Sequence, residues 1–179
     1  MTPGRGPGFA PLAFVKDDAY LLSLRALAAR PAEEFAVEVV TPHLAVTLVG
    51  AASTSSAAAV RTLSMLPGHE ARVRTWLAPV RKRAGANPFA HMVTLGRAPN
   101  NDLCLEHPNV SKFHAYLRRE GAGWALVDAR SLNGTWVNGE RLAPERAAAL
   151  KDGDEVRLGE GVFLRYLEPP GLYRHLRCA

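Results

Sequence analysis

Trp124-Ala125-Leu126-Val127-Asp128, followed by Ser131-Leu132-Asn133-Gly134-Thr135-Trp136-Val137-Asn138-Gly139, is the stretch whose reading decides the fold. Two short apolar runs are separated and closed by Asn-Gly pairs, which supply the positive φ that tight hairpins demand. The same texture extends in both directions. Short apolar runs recur at Trp76–Arg81, Met92–Gly96, Leu103–Leu105, Ala115–Arg119, Glu155–Leu158 and Val162–Leu167. Turn signals at Asn101-Asp102, Gly121-Ala122-Gly123 and Asp152-Gly153 lie between them. Runs this short and this regularly spaced, with no long helical pattern among them, predict an all-β fold, an antiparallel β-sandwich. Closely spaced hairpins put many loops at one edge, where such a fold would carry a site.

The loops carry a particular chemistry. Gly96-Arg97, Ser111-Lys112-Phe113-His114, Ser131–Thr135 and Asn138-Gly139 place one arginine, small hydroxyls and amides at the ends of apolar runs. An arginine with hydroxyl and amide donors is what a phosphate-reading site needs. No Ser or Cys nucleophile has a base and an orienting acid at suggestive spacing. The six histidines, at 43, 69, 91, 107, 114 and 175, make no metal spacing. The chain therefore reads as a binding module, with no catalytic residues, no metal and no cofactor expected.

The first seventy residues are less informative. Residues 1–13 read as a disordered leader rich in Gly and Pro, without the apolar core of a signal peptide. Asp17 and Asp18, then Tyr20, Leu24 and Leu27, with Arg30 and Pro31 after them, predict a short amphipathic helix. Phe35, Val37 and Val39 alternate with smaller or polar residues, and Leu44–Val49 is a second apolar run, so two strand-like segments are expected to follow. Residues 51–59, all Ala, Ser and Thr, read as a linker. This gives an N-terminal α/β extension over 1–70, a domain over 71–168 and a tail over 169–179.

Charge and cysteine usage set further bounds. The net charge of +5 is uneven, with ten basic against six acidic residues in 1–83 and twelve against eleven in 84–179. Arg72, Arg74, Arg81, Lys82 and Arg83 form a local basic cluster. Without aromatic interleaving it reads as a solvated strand face and loop, and no nucleic-acid partner is expected. Cys104 and Cys178 cannot make a disulfide framework, and Cys104 sits in an apolar run as a small hydrophobe. No apolar stretch approaches the ~18 residues of a membrane span. A cytoplasmic location without membrane insertion is the expectation.

Gly96-Arg97, Ser111-x-x-His114 and Asn133-Gly134-Thr135-x-x-Asn138-Gly139, in that order, resemble the forkhead-associated (FHA) domain, a phosphothreonine-peptide-binding β-sandwich. Asn101-Asp102-Leu103, Asp128 ahead of Ser131, and Asp152-Gly153-Asp154 fit the same pattern. The resemblance covers roughly residues 74–168. It implies that Arg97 binds the phosphate, that Ser111 donates its hydroxyl to it, and that Lys112 adds a point charge. It implies that the Asn133 side-chain amide bonds the ligand backbone, with Thr135 in the same loop and Gly134 permitting a φ > 0 turn between them. His114 is implied to be structural, tying its loop down through hydrogen bonds. Asn138 is placed near the binding edge, although Asn138-Gly139 is equally a hairpin turn, the reading preferred here. Many family members have Thr or Ser directly before the asparagine, whereas this chain has Leu132, which removes one hydroxyl donor.

The function implied is a phosphothreonine-dependent adaptor in Ser/Thr kinase signalling, its partner a phosphothreonine-containing protein such as a kinase or its substrate. The alternative is a phosphorylation-independent scaffold or assembly subunit on the same fold. Intact Arg97, Ser111 and Asn133 favour the first, since a scaffold freed from phosphate reading has no need of them.

Overall fold

The computed structural model describes residues 18–49 and 73–178. Among these residues eleven strands form two sheets. The first sheet contains β1 (His43–Val49), β2 (Val73–Pro79), β7 (Thr135–Val137), β8 (Glu140–Arg141), β10 (Glu155–Leu158) and β11 (Val162–Leu167), in the spatial order β2-β1-β11-β10-β7-β8. The second contains β3 (Met92–Gly96), β4 (Leu103–Cys104), β5 (Ala115–Glu120), β6 (Gly123–Asp128) and β9 (Ala147–Leu150), in the order β4-β3-β5-β6-β9. Among the described residues the strands pair antiparallel, except β3 with β4. The all-β sandwich expected from the hairpin signals is the fold.

Alternation along the strands builds the core. Leu44, Val46 and Leu48 of β1, Val93 and Leu95 of β3, Ala115 and Leu117 of β5, and Val162, Leu164 and Tyr166 of β11 point between the sheets and are buried. Period-2 alternation puts one set of side chains inside and the other outside. On β1, β2 and β11 the outward set is covered too. Ala45, Leu77 and Leu167 face a second apolar cluster made by α1 (Asp18–Ala28), α2 (Ala32–Glu38) and α3 (Pro169–Cys178). Phe35 and Leu172 are almost wholly buried there, and each such burial is worth about 1.5–3 kcal/mol relative to exposure. The Phe35 and Tyr173 rings meet at 5.3 Å, and the Tyr173 hydroxyl donates to the Arg30 carbonyl at 3.0 Å.

Two sequence expectations are corrected. Phe35, Val37 and Val39 lie on helix α2 and just beyond its end, not on a strand. Phe35 and Val39, four residues apart, are buried, while Val37 is 78 % exposed; that is a helical face, which a three-residue alternation imitates. Glu33 and Glu34 in the first turn favour the helix dipole. The domain boundaries also move. β1 lies in the sheet between β2 and β11, so a cut after residue 70 would divide the sandwich, and residues 169–178 are helix α3, not a tail. The leader at 1–13, the Ala/Ser stretch at 51–59 and Arg72 lie outside the described residues. No helix among the described residues is long and apolar enough to cross a membrane.

His43 joins the helical layer to the sandwich. Its Nδ1 donates to the Thr41 carbonyl at 2.9 Å, which leaves Nε2 to accept from the Tyr20 hydroxyl at 2.5 Å. Burial pushes its pKa down to about 4, against the pull of the Thr41 carbonyl and with a smaller push from the Arg81 charge. The unfolded chain takes up this proton near pH 6.5, whereas the folded chain takes it up only near pH 4. Stability from this group is therefore complete above pH 6.5 and lost as pH falls to 4, by about 3 kcal/mol. Urea unfolding across that range checks this: a His43→Gln protein should lose much of the slope of stability against pH, and an unchanged slope would refute the assignment.

Candidate functional site

The loops after β3, before β5 and before β7 meet at one edge of the sandwich and are stitched together by their own backbones. Arg97 N–H donates to the Ser111 carbonyl at 2.9 Å and Ala98 N–H to the Lys112 carbonyl at 3.1 Å. Asn101 Nδ2 adds bonds to the Lys112 carbonyl at 2.7 Å and the Ala98 carbonyl at 2.8 Å. Gly96 allows this approach, because a Cβ there would run into the Lys112 carbonyl and lie 2.8 Å from Asn101 Nδ2. Arg97 and Ser111 are thus held side by side by main-chain geometry.

The donors at this edge are presented outward. Arg97 is exposed and its Nε donates to the Val110 carbonyl at 3.3 Å. That bond fixes the arm, and its two terminal nitrogens have no partner among the described residues. The Ser111 oxygen accepts from the Leu132 N–H at 3.0 Å. A hydroxyl used as an acceptor keeps its own proton for another acceptor. Asn133 is exposed and gives one amide hydrogen to the Asn109 carbonyl at 2.9 Å; its second hydrogen and its oxygen remain. Lys112 is exposed beside Ser111.

Three other residues expected at the site sit beneath it or beside it. His114 is fully buried, with Nδ1 accepting from Ser111 N–H at 3.1 Å and Nε2 donating to the Gly134 carbonyl at 3.0 Å. Burial lowers its pKa, more than the Gly134 carbonyl and the Asp128 charge raise it, in keeping with a neutral ring whose Nδ1 must stay unprotonated. It clamps the Ser111 and Asn133 loops together. Thr135 is also fully buried, and its hydroxyl donates to Asp128 at 2.6 Å. Although it was expected among the ligand contacts, the structure makes it a prop of the loop. Asn138, at φ 50, gives Nδ2 to Asp154 and accepts from Glu155 N–H, both at 2.9 Å. Both ends of its amide bond within the hairpin turn, and the residue is exposed beside the edge. Gly134 adopts φ 82 between Asn133 and Thr135.

Two carboxylates anchor this edge from below. Asp128 receives Ser131 N–H at 3.0 Å, the Ser131 hydroxyl at 2.5 Å and the Thr135 hydroxyl. Burial would raise its pKa, but these bonds and nearby His114 hold it below the usual range. An Asp three residues before a Ser is the spacing of a side-chain-capped turn, the signal by which it could have been assigned a role. Asp102, its side chain fully buried, receives Lys82 Nζ, Arg83 N–H, Asn87 Nδ2 and both the N–H and hydroxyl of Thr94. Burial raises its pKa; Lys82 first, then Thr94, Arg83 and Asn87, outweigh it and hold the group low. Lys82 of the basic cluster thus serves the fold through its ammonium, and Arg83 through its backbone N–H. Among the described residues no group of three or more His, Cys, Asp or Glu could hold a metal ion.

Replacing His114 by Ala removes partners from two buried polar groups, at about 1–3 kcal/mol each. Stability and ligand affinity should fall together, read by thermal melting and titration. Unchanged melting with abolished binding would show that the imidazole touches the ligand.

Comparison with known proteins agrees with the loop motifs. The chain is 43% identical over 65 residues to the oxoglutarate dehydrogenase inhibitor of Corynebacterium jeikeium, covering 36% of this chain and 43% of that protein. It is 46% identical over 65 residues to the glycogen accumulation regulator GarA of Mycolicibacterium smegmatis, covering 36% and 39%. The chain spans about half or less of the length of these relatives. The crystal structure of the MEK1 FHA domain superposes with a TM-score of 0.48 at 20% identity, over 75% of this chain and 94% of that one. Residues 93–159 match the family profile described as the FHA domain, and that segment, which carries the Arg97, Ser111, His114 and Asn133 motifs, is an FHA domain.

Proposed function

We propose that this FHA domain binds a phosphothreonine-containing segment of a partner protein and acts as a non-enzymatic adaptor in Ser/Thr kinase signalling. One observation carries the reading: exposed Arg97 is braced at Nε, its two terminal nitrogens without a partner among the described residues, in a loop bonded to that of Ser111, whose hydroxyl proton is available. A guanidinium fork meets two phosphate oxygens and cannot deprotonate. Asn133 supplies an amide for the ligand backbone, and Lys112 adds a point charge. The partner is a kinase product, a kinase or its substrate. The relatives named as an inhibitor and a regulator support control by binding over catalysis. A notch that buried the threonine methyl would favour threonine over serine by about 0.8 kcal/mol, roughly fourfold.

The test is calorimetric titration of the full chain with matched phosphothreonine and threonine peptides at two salt concentrations. The phosphopeptide should bind more tightly and weaken as salt rises, because the site is open to solvent. Equal binding of the two peptides would put the phosphorylation-independent scaffold in its place.

A further inference from the structure

Six large apolar side chains are exposed among the described residues; two of them, Phe113 and Leu132, lie beside Ser111, and a third, Phe89, stacks on Phe113. Single exposed hydrophobics are ordinary on a protein surface; a stacked row of rings running up to a candidate binding loop is not. Phe113 follows Lys112 directly and is 37 % exposed. Its ring stacks on Phe89 at 5.9 Å and 10° and on Tyr116 at 6.1 Å and 16°, giving three near-parallel rings in a row. Leu132 is 85 % exposed, while its N–H is bonded to the Ser111 hydroxyl. It stands where family members often carry a hydroxyl.

The backbone that carries the two Phe rings is held in place. Phe89 N–H is held by Asn87 Oδ1, and Asn87 belongs to the Asp102 network. The Lys112 carbonyl, one residue before Phe113, is pinned by Ala98 and Asn101. A ring already held in place loses little freedom on binding, so contact area converts more fully into affinity. A phosphopeptide seated on Arg97 and Ser111 has Phe113 and Leu132 as near neighbours, because Phe113 lies two residues from Ser111 and the Leu132 N–H bonds the Ser111 hydroxyl.

We propose that Phe113 and Leu132, backed by Phe89 and Tyr116, form an apolar subsite that selects phosphothreonine peptides with an aliphatic or aromatic side chain beside the phosphothreonine. This rests on the phosphopeptide reading. The Leu132 position, deficient as a phosphate donor, becomes a specificity determinant.

The experiment titrates short Gly/Ala-based peptides with a central phosphothreonine into the full chain, placing Leu, Phe, Gly or Asp at each nearby position in turn. At one position Leu or Phe should bind about tenfold more tightly than Gly. In Phe113→Ser and Leu132→Thr proteins, checked for folding by melting, that ratio should collapse toward one. Phosphate-dependent binding with no apolar preference, or a preference that survives both substitutions, overturns this proposal and leaves the phosphopeptide reading intact. Equal binding of phosphorylated and unphosphorylated Leu peptides overturns both. Exposed rings also suit nucleobase stacking; a single-stranded oligonucleotide that binds as tightly as the best phosphopeptide, and loses affinity in Phe113→Ser, overturns the peptide assignment.

Discussion

The Arg97→Ala protein is expected to bind a phosphothreonine peptide tens to thousands of times more weakly than the parent, with a melting temperature almost unchanged. A phosphate dianion gives up strong hydration on binding, and charge-assisted donors must replace it. Arg97 is held beside Ser111 by the bond from its N–H to the Ser111 carbonyl. Truncating one partner of a hydrogen-bonded charge pair costs about 2–5 kcal/mol, which sets the range. The fold loses little, because the side chain is exposed and makes one bond, to the Val110 carbonyl. Ser111→Ala should cost less, about 1–2 kcal/mol, for one hydrogen bond to a charged acceptor. Calorimetric titration of both variants decides. Parent-like affinity in Arg97→Ala would remove the basis of phosphate reading.

The second large effect is on stability. Asp102→Ala leaves the Lys82 ammonium, the Arg83 and Thr94 N–H groups, the Thr94 hydroxyl and the Asn87 amide without their shared acceptor. Breaking a buried pair by removing one partner typically costs about 3–5 kcal/mol. For a chain of this size that lowers the melting temperature by roughly 10 °C or more. Since Asp102 is held ionised, its contribution is present above the usual carboxylate range and is lost as pH falls below it. A scan showing Asp102→Ala within a degree or two of the parent would mean that the cluster reorganises around water at little cost.

The hairpins were legible because Asn-Gly and Asp-Gly turns have a backbone requirement that few other residues meet. β9 was not. Ala147-Ala148-Ala149-Leu150 has no strand propensity to detect, and it is a strand because Trp124–Val127 offers it an edge. β1 could be read as an apolar run, but its place between β2 and β11 depends on partners distant in sequence, which local pattern does not encode. At the site, the motif brought Arg97, Ser111, Asn133 and His114 to one edge. The inward turn of Thr135 escaped notice, because side-chain direction in so short a strand follows from the Asp128 bond more than from any pattern. The roles of Asn101 and Asp102 lay in ties between loops, visible only once those loops are placed.

The position of β1 bears on how the chain is made. His43 to Leu48 pair with residues 162–167, near the other end of the sequence. A ribosome delivers the chain from its N-terminus, so β1 emerges long before the strand that covers one of its edges. Pairing of such distant segments is slow, because a long loop must close before the contacts reward it. During synthesis β1 and β2 can form only a two-stranded ribbon, marginal by itself in water. The first sheet, and with it the seat for the helical layer, closes only after β11 has left the tunnel; until then the nascent chain carries an apolar edge open to wrong partners.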